Sequence, residues 1–290
     1  MKILVAIDHS AASQAVLKEV AARPWPPNTC VETLNVVEPV HLWTTSQTVE
    51  EAARQSAALV QGAAQELAAK GLKASSVSLP GDPKRVILDR AQETKADFIF
   101  VGSQAVSALT RFLLGNVSSA VVRHAPCSVE IVRARAGKPP GIRKILLATD
   151  GSEFSERAAR SIAERPWAAG TEIVALSVVE LMLGTAQAWL EPPYVDSAAL
   201  EPLREQAMQR AQNAVAAAAE ILSKAFPKVQ ESISVLLDGP KNVILDEADK
   251  IGADLIVVGS HGHRGIERFM LGSVSEAVAL HAHCSVEVIR

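Results

Sequence analysis

A stretch at the start of the chain returns near its middle, and no other feature constrains the fold as strongly. Lys2-Ile3-Leu4-Val5-Ala6-Ile7-Asp8-His9-Ser10 recurs as Lys144-Ile145-Leu146-Leu147-Ala148-Thr149-Asp150-Gly151-Ser152. Arg23-Pro24-Trp25 recurs as Arg165-Pro166-Trp167, and Val36-Val37-Glu38 as Val178-Val179-Glu180, all at an offset of 142. Val86-Ile87-Leu88-Asp89 recurs as Val243-Ile244-Leu245-Asp246, and Cys127-Ser128-Val129-Glu130 as Cys284-Ser285-Val286-Glu287, at an offset of 157. A fixed period of this length means one structural unit built twice. The change of offset gives the second copy about 15 extra residues, expected at 181–198, where a surface loop absorbs them. The 290 residues suit two domains of about 150 each. Gly137-Lys138-Pro139-Pro140-Gly141 cannot continue a helix or strand, so domains are expected at 1–137 and 141–290.

Within the second copy, short apolar runs alternate with helical spacing. Strands are expected at 145–149, 171–179, 232–237, 254–258 and 285–289, and helices at 155–163, 198–225, 243–250 and 273–281. This βαβαβαβαβ order predicts an α/β doubly wound fold, an open five-stranded parallel sheet with helices on both faces. Ligands in such sheets bind beyond the carboxyl ends of the strands, where the strand order reverses.

The loop after the fourth strand of the second copy runs Gly259-Ser260-His261-Gly262-His263-Arg264-Gly265 and on to Gly272-Ser273. Glycines admit close backbone approach, and the helix that opens at Gly272-Ser273 offers free N–H groups and a positive dipole end to a phosphate. Ser273 and Ser275 carry hydroxyl donors, and Ser273 with Glu276 has capping-box spacing. The loop is neither a Walker A loop nor a GxGxxG fingerprint, and a Ser-capped helix after a glycine loop also occurs in empty sites. Asp150, at the end of the first strand, suits a ribose or base edge, or the neighbourhood of a metal–phosphate; turn formation and helix capping are its structural alternatives.

With these residues in place, both halves resemble universal stress protein domains, and the chain resembles a tandem of them. The Asp-x-Ser turn, the G-x2-G-x9-G-S signature at Gly259, Gly262, Gly272 and Ser273, the pair Ala253-Asp254 and the tail His281-Ala282-His283-Cys284-Ser285-Val286 carry the likeness. The resemblance implies strand order 3-2-1-4-5, pairing through the last strand, here as an intrachain pseudo-dimer with a homodimer also open, and ATP or AMP as ligand, with or without Mg2+. Asp150 and Val178 would then hold the adenosine, while Gly259, Gly262, Gly272, Ser273 and Ser275 surround ribose and phosphates, flanked by Ala148, Val258 and Val274. The first copy departs from the signature, with Gly102, Ala105, Gly115 and Asn116 at the matching positions and His9 for Gly151. If Gly262 needs a positive φ, alanine there costs roughly 1 kcal/mol or more, while Asn116 remains a good N-cap. The first copy is therefore expected to pair with the second rather than to bind ligand.

The remaining features are mostly structural. His261, His263, His281 and His283 lack the local partners of a tetrahedral metal set, His281 and His124 suit helix C-termini, and His261 and Arg264 are placed to touch phosphate. Trp25 and Trp167 read as packing anchors; Trp189 and Tyr194 belong to the insertion. No catalytic constellation is present, and no metal site. The net charge of −3 and 4% aromatics argue against nucleic acid, and no 18-residue apolar run crosses a membrane. Three scattered cysteines read as core thiols in a reducing compartment, and the N-terminal run is too short for a signal peptide, so a cytoplasmic protein is expected. Three functions stay open: an adenine-nucleotide-binding stress regulator, a nucleotide-independent scaffold for protein partners, and a slow ATP hydrolase.

Overall fold

A computed structural model describes residues 1–38, 46–103, 114–134, 137, 139–180, 197–236, 239–263 and 271–290. The insertion at 181–196 with Trp189 and Tyr194, together with Ala105, Ala108, Arg264 and Gly265, lies outside them. The first copy runs β1 (Lys2–Ala6), α1 (Ala11–Ala22), β2 (Cys30–Val37), α2 (Ser46–Ala69), β3 (Lys73–Pro80), α3 (Pro83–Thr94), β4 (Phe98–Gly102), α4 (Asn116–His124) and β5 (Ser128–Val132). The second repeats it as β6 (Lys144–Ala148), α5 (Glu153–Ala163), β7 (Glu172–Glu180), α6 (Ser197–Leu222), β8 (Val229–Leu236), α7 (Pro240–Ile251), β9 (Leu255–Gly259), α8 (Ser273–His281) and β10 (Ser285–Ile289).

The strands form one sheet of ten, ordered β3-β2-β1-β4-β5-β10-β9-β6-β7-β8. Each half has the expected order 3-2-1-4-5. All pairings are parallel except β5 with β10, which run antiparallel and join the halves. The runs read as buried on both faces are so: Ile145 and Leu147 of β6 enter a core under α5 and α6, while Leu146 enters the opposite core under α7 and α8. Each core draws residues from both copies.

The joint is reciprocal. Arg133, just beyond β5, donates from Nη2 to the carbonyls of Ala279 (2.6 Å) and Leu280 in the last turn of α8. Arg290, just beyond β10, donates from Nη2 to those of Val122 (2.6 Å) and Arg123 in the last turn of α4. Each copy thus supplies the cation that satisfies the exposed carbonyls of the other copy's last helix. Arg123 also pairs with Glu276 across the joint (2.6 Å). Trp25 and Trp167 are anchored as packing residues, each donating its indole N–H to a carbonyl of the preceding helix, Val20 or Ile162, at 2.8 Å. Burial pushes the thiols of Cys127 and Cys284 up to about 12, which leaves them unreactive, whereas Cys30 is exposed and is no core thiol.

One glycine in each copy sets how closely a helix lies on the sheet. A Cβ at Gly259, the end of β9, would meet the backbone carbon of Phe154 at 2.7 Å, and one at Gly102 would meet Ala12 Cβ at 2.8 Å. Gly259→Ala is therefore expected to destabilise the protein by about 1–3 kcal/mol, since the atoms in the way are main chain. Urea unfolding checks this; an unchanged midpoint would mean α5 can lift off the strand without cost.

Candidate functional site

Ala148 on β6 pairs with Val258 on β9, so the carboxyl ends of these two central strands lie side by side. The helix after β6, α5, packs into one core and the helix after β9, α8, into the other. This is the switch point where the strand order reverses, the place beyond the carboxyl ends of the strands where such sheets take ligands. Ala148, Val178 and Val274 are half-buried against the core on the α8 side, and Val258 is buried there.

Asp150 follows β6 and faces the loop after β9. Its Oδ1 accepts the Ser152 N–H (3.0 Å), and its Oδ2 accepts the His263 N–H (3.2 Å). The His263 Nε2 lies 2.8 Å from the Asp150 carbonyl oxygen, which requires the ring proton on Nε2. Burial alone would raise the Asp150 carboxyl, but hydrogen bonds from Ser152 and His263 outweigh it and hold the group below the usual carboxylate range. Ser152 itself caps α5 by accepting the Ser155 N–H (3.3 Å). Asp150 therefore both shapes the turn and anchors the loop, while Ser152 is the cap.

Gly262 sits directly over this carboxylate. A Cβ there would lie 2.5 Å from Asp150 Oδ2. Its φ is not in the left-handed region, so the expected backbone reason for glycine is replaced by a steric one. Positive φ occurs instead at Gly151 (79°), where the first copy has His9.

The helix end also differs in detail from expectation. Gly272, not Ser273, is the N-cap of α8 and makes no side-chain cap bond; Glu276 pairs with Arg123 instead of closing a capping box. Gly115, not Asn116, likewise caps α4. A glycine cap leaves the cap to backbone alone, so the N–H groups of Ser273, Val274 and Ser275 meet no side-chain cap among the described residues. The Ser275 hydroxyl donates to the Gly259 carbonyl (2.6 Å) and so holds the helix end to the strand. Ser118 does the same to Gly102 in the first copy (2.7 Å).

His261, placed by its sequence position to touch phosphate, proves to be a buried residue, which the sequence did not show. It lies on Phe154 with centroids 4.9 Å apart, and its Nδ1 is 3.1 Å from Ser260 Oγ. Its Nε2 has no hydrogen-bond partner among the described residues. The first copy has Gln104 at that position and no imidazole. Its acid is also held differently. Ser13 Oγ donates to Asp8 Oδ1 (2.6 Å), whereas the equivalent Ser155 Oγ donates to the Ser152 carbonyl (2.9 Å) and accepts from Thr149 Oγ1 (3.1 Å). The Thr149 hydroxyl stands where the first copy has Ile7.

The family model for the universal stress protein family matches residues 1–133 and again 141–290. The chain belongs to the universal stress protein family. A universal stress protein of Mycobacterium tuberculosis is 31% identical over 198 residues, 68% of this chain and 62% of that protein, so the chain spans less than two thirds of that relative's length. One of Mycolicibacterium smegmatis is 27% identical over 302 residues, 99% of this chain and 96% of that protein. Among solved structures, a universal stress protein from Archaeoglobus fulgidus superposes with TM-score 0.66 at 23% identity, covering 100% of this chain and 96% of that one, which bears on the fold alone. No helix among the described residues is long and apolar enough to cross a membrane.

Proposed function

We propose that this universal stress protein binds an adenine nucleotide, ATP or AMP, in its second domain and acts as a cytoplasmic stress-response regulator rather than an enzyme. The domains are taken as 1–137 and 141–290. The observation that carries the reading is the start of α8, where three successive N–H groups meet no side-chain cap among the described residues and the cap residue Gly272 lies against the backbone of His261, whose buried Nε2 also has no partner among them. Unclaimed donors at a helix N-terminus suit a phosphate, and a buried polar atom without a partner marks a place where another group completes the bonding.

The remaining roles follow from charge and polarity. Asp150 is anionic at neutral pH and repels phosphate, so it faces the ribose hydroxyls or the base edge. Ala148, Val178, Val258 and Val274 supply the apolar wall for the adenosine, Gly262 and Gly272 keep side chains away from the ligand, and Gly259 sets α5 close to the strand end beside it. The Ser273 hydroxyl and the N–H groups of Ser273 to Ser275 take the phosphates. Mg2+ would arrive with a triphosphate, because no three carboxylate, histidine or cysteine side chains gather to hold it among the described residues. In the first domain the signature lacks its second glycine and carries Asn116 for Ser273, so that domain is taken to pair with the second rather than to bind ligand.

The test is direct. Denaturing the purified protein and analysing the supernatant is expected to release adenine nucleotide, and titrating ATP into the stripped protein is expected to give heat. No nucleotide and no heat would overturn the reading in favour of a scaffold, and sustained phosphate release lost in Asp150→Ala would move it to a slow hydrolase.

A further inference from the structure

The centre of the ten-stranded sheet holds charges that the nucleotide site does not use. In the β5–β10 pair, Glu130 stands directly opposite Glu287, and both are 0% exposed. Arg23, at the end of α1, donates from Nη1 to Glu130 Oε2 (2.7 Å) and from Nη2 to Oε1. Arg165, after α5, does the same to Glu287, with Nη1 to Oε2 at 2.9 Å. Arg23 also donates from Nε to Glu19 Oε1 (3.0 Å) on α1, whereas the Arg165 Nε bonds the Ser161 carbonyl (2.8 Å). Aromatic rings line the guanidiniums, Phe98 and Phe100 on β4 and Trp25 and Trp167 after the helices, and Glu19 Oε2 accepts the Gly141 N–H (2.9 Å).

Three buried carboxylates thus face two buried guanidiniums, all 7% exposed or less. Among the described residues one negative charge is in excess in this buried, aromatic-lined cluster, where an uncompensated charge is costly. Binding a single proton removes it. The two carboxylates closest to the centre sit opposite each other, one from each copy, and like charges so placed resist simultaneous ionisation.

We propose that this cluster is a proton-binding site: the Glu130–Glu287 pair holds one proton between the two copies, and the joint between them tightens as that proton is taken up. The direction agrees with the environment of Glu130, which burial first and Glu287 after it push up to about 7 against the pull of Arg23. A carboxyl raised in the folded chain contributes stability that is fully present below its ordinary value, about 4.3, and lost as pH rises through about 7. The folded protein therefore binds one more proton than the unfolded chain in that window.

Urea unfolding of the full chain across that window tests this. In the wild type the unfolding constant is expected to rise close to tenfold per pH unit from about pH 5 to about pH 7, relative to Glu130→Gln, which carries no excess charge. Subtracting the variant removes the background from the seven histidines. The infrared carbonyl band of a protonated carboxyl is expected in the wild type at neutral pH and absent in the variant. Should Glu130→Gln fail to fold, Glu19→Gln removes the excess charge without touching the facing pair and is expected to flatten the same slope. Wild type and variants with one common pH dependence, or no carboxyl band, would overturn the proposal.

Discussion

Replacing Arg165 with methionine is expected to destabilise the whole chain by about 3–5 kcal/mol, the cost of leaving one member of a buried ion pair alone. Among the described residues Arg165 is the only cation that bonds the Glu287 carboxylate, and both side chains are almost fully removed from water. The loss is expected in a single cooperative transition, because the pair sits where the two halves share one sheet and two common cores. The double variant Arg165→Met/Glu287→Val removes both charges, and most of the stability is expected to return, since apolar replacement of a whole buried pair is often neutral. Equilibrium urea unfolding of the three proteins decides it. A single variant within about 1 kcal/mol of wild type would show that water reaches the joint and screens Glu287.

Gly262→Val is expected to lower ATP affinity more than tenfold, about 1.4 kcal/mol or more, while leaving the fold in place. The added Cβ would meet the Asp150 carboxylate at 2.5 Å, and the rest of the side chain would fill the space between the loop and the first-strand turn. Because the backbone at Gly262 is not left-handed, valine strains the candidate site rather than the chain. Calorimetric titration reads the affinity and circular dichroism the fold. In an Asp150→Ala background, which removes the clashing oxygens, Gly262→Ala is expected to become nearly neutral for binding, a coupling a double-mutant cycle measures. Unchanged affinity in Gly262→Val would mean that the loop is not the cradle.

The fold was legible because the repeat states the topology twice. A strand run such as Ile145 to Leu147 and a helix such as Ser273 to His281 are local patterns, and local patterns survive in sequence. Pairing through the last strand was expected from the family resemblance, but the ion pairs at the joint were not legible, although their residues lay inside the aligned segments: Arg23 and Arg165 open the Arg-Pro-Trp repeats, and Glu130 and Glu287 close the Ser-Val-Glu ones. Their bonds span 107 and 122 residues, and no periodicity reports a contact that distant. The available signal was a glutamate recurring in the middle of a strand otherwise buried on both faces. At the candidate site, the residue types were legible and their reasons less so. A glycine demanded by a neighbour's carboxylate looks, in sequence, the same as one demanded by its own φ. The helix caps fell one residue early because glycine caps through its backbone and leaves no side-chain mark.

The facing glutamates also bear on synthesis. When the ribosome has made only the first copy, β5 is the bare edge of a five-stranded sheet, and its partner strand lies about 150 residues further on. An edge of Ser128, Val129, Ile131 and Val132 alone would invite pairing with any extended chain nearby. Glu130, pointing inward from the middle of that edge, is paired with Arg23 of its own copy, so any strand that adds there must bury an ion pair, which guards the edge against aggregation. The strand that carries its own glutamate, its own arginine and matching helix caps is β10 of the same molecule.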